Sequence, residues 1–524
     1  MASSPSQATN NSLDKLFSLP LAKGSIALPG ISHQSSKKLL ELVREDYEKW
    51  HVYFDIRGFH NHLTHHLYAI YDLGAPPSLI EAVNKTHQYQ IPAFKGPEPI
   101  TEDNFVDHLG DHTFYASYLA FFSSYLSTHT PTQAIERFIF LPQFNYNPGL
   151  KEGQSQPAML DRFHSGLLHP LIHLGYGLEF GVLGQVAEGL AQSAIHASDQ
   201  TPIFPDSIFS ASLADTDSLL SNIASRLSLS PPQASTATPL RPSFAFWRQI
   251  VEDPSLAPEA SVDITSAYSR VLKNKGKHVY DLVSAWYDNW LKGAESEAEV
   301  ERRLESMLEE VIIGNVLWFG VGGWAGRGKN GAGKEINADF FLMHLVTSAL
   351  FLPIYVLPAS SSQSPRLSLP HRLLLLRSFL ATSTVWYIAR GRPSLPIASF
   401  YISTTSHLSA PVPPERKTTV PTTERPPAAW PGEVVLSGPN PWMRILQDTL
   451  VHPNEHLCKL QRALAYFAQR YGDREAGYYA SGLDGAEALD GTLFVRVAGL
   501  VQERMGWANE GKELGIWDRS GFFQ

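Results

Sequence analysis

Apolar positions along this chain recur mostly at helical spacing. Over residues 35–50, Leu39, Leu40, Leu42, Val43 and Tyr47 gather near one face, which predicts an amphipathic helix. Residues 61–73 continue the pattern, and Gly74 with Pro76 and Pro77 punctuates its end. Segments 170–196, 338–352, 371–389 and 453–471 read similarly, whereas the period-two alternation of half-buried strands is scarce. The most apolar stretch, 341–358, contains His344, Thr347, Ser348 and Pro353. A membrane span needs about 20 largely apolar residues, so this stretch predicts a buried helix stopped by Pro353. Three segments rich in Pro, Ser and Thr, at 226–243, 359–370 and 408–432, predict surface loops. No fixed-period repeat is evident, which argues against a solenoid. The expectation is an all-α fold, with a disordered polar tail over 1–34 and one large multi-helix domain over 35–524.

Composition supports a large core: of 524 residues, 43% are hydrophobic and 18% charged. The formal charge of −9 comes without a Lys/Arg stripe, so neither nucleic acid nor an anionic membrane surface is an expected partner. The single cysteine, Cys458, allows no internal disulfide, and the polar N-terminus lacks the apolar run of a secretory signal. Together these predict a cytoplasmic protein. The oligomeric state is left open.

Histidine changes the picture most, because several of the 20 fall within apolar helical segments. His60, His62, His65 and His66 lie in RGFHNHLTHHLYAIYDLG, where the spacing of His62 and His66 puts both on one helix face. Neutral imidazoles there can bind a divalent metal. His164, His169 and His173 form a second cluster, and Pro170, suited to a first helical position, puts His169 at a helix start. His344 stands alone among apolar residues. In HPNEHLCKLQRAL, Pro453 suits a helix start, and His456 and Lys459 face the same way. Lys459 ligates nothing as an ammonium, but a buried, deprotonated lysine can react with carbon dioxide to give a carbamate. The competing reading is that these rings are hydrogen-bonded core residues; neither the H-E-x-x-H zinc pattern nor the paired E-x-x-H motifs of di-iron bundles is present.

Residues 320–334, GVGGWAGRGKNGAGK, offer a rival signal. The stretch from Gly320 to Ala325 fits a dinucleotide-binding G-x-G-x-x-G/A motif, with Asp339 about 20 residues on. A polar loop follows it instead of the helix that should meet the pyrophosphate. The stretch from Gly328 to Lys334 resembles a P-loop, but Glu335 replaces the Ser/Thr that holds Mg²⁺.

At these same segments the chain resembles the questin-oxidase-like family of fungal secondary metabolism. The carrying blocks are NHLTHHLYAIYDLGA, ITEDNFVDHLGDHTFYASYLAFF, GLLHPLIHLGYGLEF with AEGLAQSAIH, ADFFLMHLVTSALFLP, WYIARGRPSL, HPNEHLCKLQRAL and LDGTLFVRVAGL. The resemblance covers roughly residues 40–520 and implies oxygen chemistry on an anthraquinone-type aromatic polyketide, as a ring-cleaving dioxygenase or a Baeyer–Villiger-type monooxygenase. It implies a non-haem Fe(II) site at His62, His169, His344 and His456, with Lys459 as a fifth ligand after carboxylation and O2 as co-substrate. His66 and His173 then flank the metal or face substrate. Tyr176, Glu179, Tyr387 and Arg390 are catalytic candidates by position, and equally plausible structural residues. Two other readings stay open: an NADPH-dependent monooxygenase without metal, favoured by the glycine-rich stretch, and a non-catalytic helical protein whose histidines merely pack.

Overall fold

The computed structural model describes residues 13–523, except 56, 88–90, 93–94, 151–154, 199, 210–240, 260–263, 330–332, 358–366, 409–439 and 480–481. Among these residues every regular element is helical, and β pairing is confined to isolated bridges such as Trp50 with Pro92. The all-α expectation holds. The helices that position the site are α1 (His33–Lys49), α2 (Leu63–Asp72), α3 (Tyr115–Leu126), α4 (Met159–Phe180), α5 (Leu183–Ile195), α6 (Ile264–Leu291), α7 (Glu297–Val316), α8 (Phe340–Ala349), α9 (Leu369–Ala389), α10 (Glu455–Tyr471) and α11 (Leu493–Met505).

Local chemistry explains where several of them begin. Ser32 and Ser35 form a reciprocal capping box at the start of α1, which then buries Leu39, Leu42, Val43 and Asp46 at helical spacing. The Asp339 carboxylate accepts from the amides of Phe341 and Leu342 at 3.0 Å each, opening α8, and Ser296 caps α7. Asn454 caps α10 by accepting from the amides of His456 and Leu457, both at 3.1 Å. Pro453 therefore lies outside α10 and the side chain of Asn454 starts it.

At the centre, α4 packs along α5, α5 along α3, and α10 sits between α2, α8 and α11. Close approach of α4 and α5 depends on two glycines: a Cβ on Gly177 would lie 2.6 Å from the Val186 amide nitrogen, and one on Gly189 would lie 2.6 Å from the Leu174 Cα. The expected helix over 170–196 is thus two helices, broken at Gly181 with φ +72°. Nearly every residue of α4 and α5 is buried, so their polar side chains have protein neighbours instead of bulk water.

Two boundary expectations change. Residues 13–34 are not a free tail: Leu16, Phe17 and Ile26 are buried, and the amides of Ser25, Ile26 and Ala27 donate to Glu179 and Asp72. Only residues 1–12 of that expected tail lie outside the described ones. Pro353 does not end a helix but opens the short one at Leu352–Val356, after α8 has already stopped. The Pro/Ser/Thr-rich segments lie largely outside the described residues. No described helix is long and apolar enough to cross a membrane.

Candidate metal centre

Four imidazoles from four helices close into a ring. His62 is the N-cap of α2, with φ −101° and ψ 3°. His169 follows a break in α4 at which Gly166, Leu167 and Leu168 all have positive φ, +54°, +58° and +65°. For the two leucines that conformation costs of order 1–3 kcal/mol each, which the buried surroundings sustain. His344 lies in the second turn of α8, and His456 in the first turn of α10. Neighbouring ring centroids are 5.0 Å apart for His62 and His169, 5.0 Å for His169 and His344, 5.0 Å for His344 and His456, and 4.6 Å for His456 and His62. The donor atoms of His62, His344 and His456 all lie within 4.8 Å of one another. The Nε2 atoms of His62 and His169 are 2.9 Å apart.

Proton bookkeeping shows what this ring wants. His169 Nδ1 faces the Gly166 carbonyl at 2.6 Å and His344 Nδ1 faces the Phe340 carbonyl at 2.7 Å. A carbonyl only accepts, so each Nδ1 carries the hydrogen and each Nε2 presents a lone pair. His456 Nδ1 lies 3.0 Å from the Glu455 carboxylate, and the same reasoning applies; that carboxylate is 4.0 Å from His62 Nδ1, beyond hydrogen-bond reach, and His62 Nε2 donates instead to His169 Nε2. Burial lowers all four imidazoles well below the usual histidine range, His456 to about 4, so they are neutral near pH 7. Nε2 of His344 and of His456 has no hydrogen-bond partner, and neither does the buried Lys459 Nζ. Orphaned polar atoms cost about 1–3 kcal/mol each. The Nε2 atoms of His169, His344 and His456, each backed by an acceptor at Nδ1, match how metal-binding histidines are held. Burial also lowers Lys459, to about 8, which leaves a fraction of it as free amine at neutral pH.

The other sequence candidates are brought to different places. His66 lies one helical turn beyond His62, its amide donating to the His62 carbonyl at 3.0 Å, and its ring meets His87, with Nδ1 3.1 Å from His87 Nε2. His173 joins His65 at 3.0 Å and the Glu188 carboxyl at 3.4 Å. Tyr176 stacks on His65 and Tyr68. Glu179, expected as catalytic, accepts from Ser25 and from the Arg462 guanidinium, which also holds Asp72 at 2.8 Å. Arg390 is likewise neutralised in a buried pair with Asp339, at 2.7 Å, and so steadies the cap of α8. Tyr387 donates to the Pro393 carbonyl and stacks on Trp318. Sequence reasoning missed Glu455 as the carboxylate behind His62 and His456; its position beside His456 at the helix start was the available signal.

The glycine-rich rival does not hold. Gly320 lies in a helical turn continuing α7, and Gly322 and Gly323 in the short helix Gly322–Ala325, with no preceding strand. Their missing side chains allow packing: a Cβ on Gly320 would meet Val497 at 2.3 Å, and one on Gly323 the Asn337 carbonyl at 2.6 Å. Asp339, the expected ribose acid, is paired with Arg390. Residues 330–332 of the P-loop-like stretch lie outside the described residues.

A sequence model for a family described as questin oxidase-like matches residues 59–464. The chain is 24% identical over 381 residues to a Baeyer–Villiger oxidase of Pestalotiopsis microspora, covering 70% of this chain and 73% of that protein. It is 24% identical over 363 residues to a questin oxidase of Aspergillus fumigatus, covering 68% and 70% respectively. A Baeyer–Villiger monooxygenase of Aspergillus aculeatus is 31% identical over a shorter span of 176 residues, 32% of this chain.

Proposed function

The chain belongs to the questin oxidase-like family and is an oxidoreductase; from that premise we propose that it is a non-haem iron oxygenase cleaving a C–C bond of an anthraquinone-type polyketide. The observation that carries the reading is the ring of four neutral imidazoles, in which donor atoms of His62, His344 and His456 lie within 4.8 Å of one another and Nε2 of His344 and of His456 has no protein partner. His62, His169, His344 and His456 would hold Fe(II), with Lys459 adding oxygen donors as a carbamate. In that step the neutral amine attacks carbon dioxide, a C–N bond forms and one proton is released. All-nitrogen and oxygen donors of this kind suit ferrous iron. When bound, the metal supplies a centre at which O2 and an electron-rich aromatic can exchange electrons.

The protein's own groups do the rest. Glu455 fixes the orientation of His456 and lies against His62, while the Gly166 and Phe340 carbonyls fix His169 and His344. Phe340 lies edge-on to His344 and His456, at 4.7 and 4.9 Å, and offers a planar substrate an apolar flank. His66 carries a second nitrogen without a protein partner and is influenced by the charges of Glu455 and Lys459, so it is the group we assign to a phenolic hydroxyl.

Anaerobic reconstitution with Fe(II) tests the reading. We expect about one bound iron per chain, and conversion of questin in a single turnover with Fe(II) and O2 alone. Less than about a tenth of an equivalent, with His344→Ala behaving as the parent, refutes it. The second reading is a metal-free NADPH-dependent Baeyer–Villiger monooxygenase, whose reaction type fits the names of the relatives comparably. It requires that no product form until nicotinamide is added.

A further inference from the structure

Behind the imidazole ring lies a second group of buried polar side chains that the iron-site reading leaves unused. Asp46 comes from α1, His65 and Tyr68 from α2, Tyr115 from α3, His173 from α4, and Gln185, Glu188 and Gln192 from one face of α5. All are buried. Several of their atoms have no protein partner: His65 Nδ1, the Tyr68 hydroxyl, the Gln185 carbonyl, and both polar atoms of Gln192. Buried polar groups in native proteins are satisfied, and where protein does not do so ordered water does.

Through this group runs a continuous line of hydrogen-bonding atoms. Tyr115 donates to the Glu188 carboxyl at 3.3 Å, the other Glu188 oxygen lies 3.4 Å from His173 Nε2, and His173 Nδ1 lies 3.0 Å from His65 Nε2. The His65 ring lies 5.9 Å from that of His62 and 6.3 Å from that of His169, so the line ends against the proposed metal ligands. We propose that Glu188, His173 and His65 form a buried proton relay between a hydrated chamber and the imidazole ring. This inference rests on the oxygenase reading for its purpose, but not for its existence.

The line has two self-consistent states. In one, the protonated Glu188 carboxyl donates to His173 Nε2, His173 Nδ1–H donates to His65 Nε2, and His65 Nδ1 bears a hydrogen. In the other, the Glu188 carboxylate accepts from His173 Nε2–H, His173 Nδ1 accepts from His65 Nε2–H, and His65 Nδ1 is bare. Passing from the first to the second delivers one proton at His65 and leaves one negative charge on Glu188, which reprotonation from the chamber restores. Both imidazoles stay neutral at either end of the transfer. Burial pushes Glu188 up to about 8, and burial with the charge of Glu188 pushes Asp46 to about 8, so the first state prevails at neutral pH. The groups facing Glu188 are Asp46 and Tyr47 from α1, Tyr68 from α2, Tyr115 from α3 and His173 from α4.

Nitrogen NMR of the full-length, histidine-labelled resting protein tests the relay without any substrate. Raising the pH from about 6.5 to about 9.5 should switch His173 from the Nδ1–H to the Nε2–H tautomer, with His65 following, and Glu188→Gln should abolish the switch. An unchanged His173 tautomer in the parent protein overturns the proposal, as does a switch that survives Glu188→Gln. In the iron-loaded enzyme with questin, Glu188→Gln should lower turnover about a hundredfold at unchanged iron content and raise the solvent deuterium isotope effect. A variant that turns over at the parent rate overturns the relay. A tautomer switch in a parent protein inactive on questin instead overturns the oxygenase reading alone.

Discussion

Arg462→Met removes the one cation in a buried triad that ties three histidine-bearing helices together. Arg462 lies on α10 with His456, Asp72 ends α2 behind His62, and Glu179 lies on α4 after His169. The Arg462 side chain is fully buried, and Asp72 and Glu179 are 0% and 6% exposed. Asp72 also accepts from the amides of Ile26 and Ala27 at 3.0 and 2.9 Å, and Glu179 from the Ser25 amide at 2.6 Å. Methionine keeps the aliphatic bulk, so the loss is electrostatic: two carboxylates remain in the interior with only amide and hydroxyl donors. Breaking a buried pair in this way costs about 3–5 kcal/mol. At an unfolding entropy of about 2.1 cal/mol/K per residue, a chain of this size loses about 1 °C per kcal/mol, so Tm should fall by about 3–5 °C. Because one carboxyl can escape the penalty by binding a proton, the deficit should shrink toward pH 5. Calorimetry at two pH values, with an Fe(II) titration of parent and variant, reads both effects; iron affinity should fall because α2, α4 and α10 lose their common tie. A Tm within about 1 °C of the parent, together with unaltered iron affinity, would show that the triad positions nothing.

Gly166→Ala should cost about 1–3 kcal/mol and lose iron, since its Cβ would meet His196 at 2.4 Å and His60 at 2.9 Å while φ stays positive. Gly314→Ala, which drives a Cβ into the Trp247 indole at 2.0 Å, serves as control: stability should fall and iron stoichiometry persist. If both variants retain iron alike, the Gly166 carbonyl does not orient His169. Iron at about a hundredfold over its dissociation constant should stabilise the protein by about 2.7 kcal/mol, and a Tm indifferent to Fe(II) contradicts a preformed site. For Glu188 the sign runs with its raised folded-state value: between about pH 4 and pH 8 the folded protein holds a proton that the unfolded chain has released, so stability falls as pH rises. Glu188→Gln removes this term, and its stability relative to the parent should improve by up to about 3 kcal/mol from pH 5.5 to pH 7.5. A pH-independent difference in denaturant unfolding argues that Glu188 is ionised in the folded state.

The hydrophobic pattern by itself determined that the chain is helical, and it placed α1, α2, α8, α9 and α10 within a few residues, because a helix that buries one stripe must repeat its apolar residues at that spacing. Sequence also located His169 at a helix start through Pro170, and sequence resemblance nominated His62, His169, His344 and His456 together. Spacing alone paired His62 with His66. In the structure the His62 ring meets His169 and His456 while the His66 ring meets His87, a choice of partners that spacing along one helix does not carry. Nor did the pattern distinguish Gly320–Gly323 as packing positions, since a glycine allows close approach of a phosphate or of another chain segment equally well. Tertiary structure decided that four rings from distant parts of the chain converge, that carbonyls and Glu455 hold the Nδ1 hydrogens of His169, His344 and His456 away from the centre, and that Arg390 and Glu179 serve as buried ion-pair partners. These outcomes depend on which atom faces which across helix contacts, and one-dimensional periodicity carries only the direction of burial.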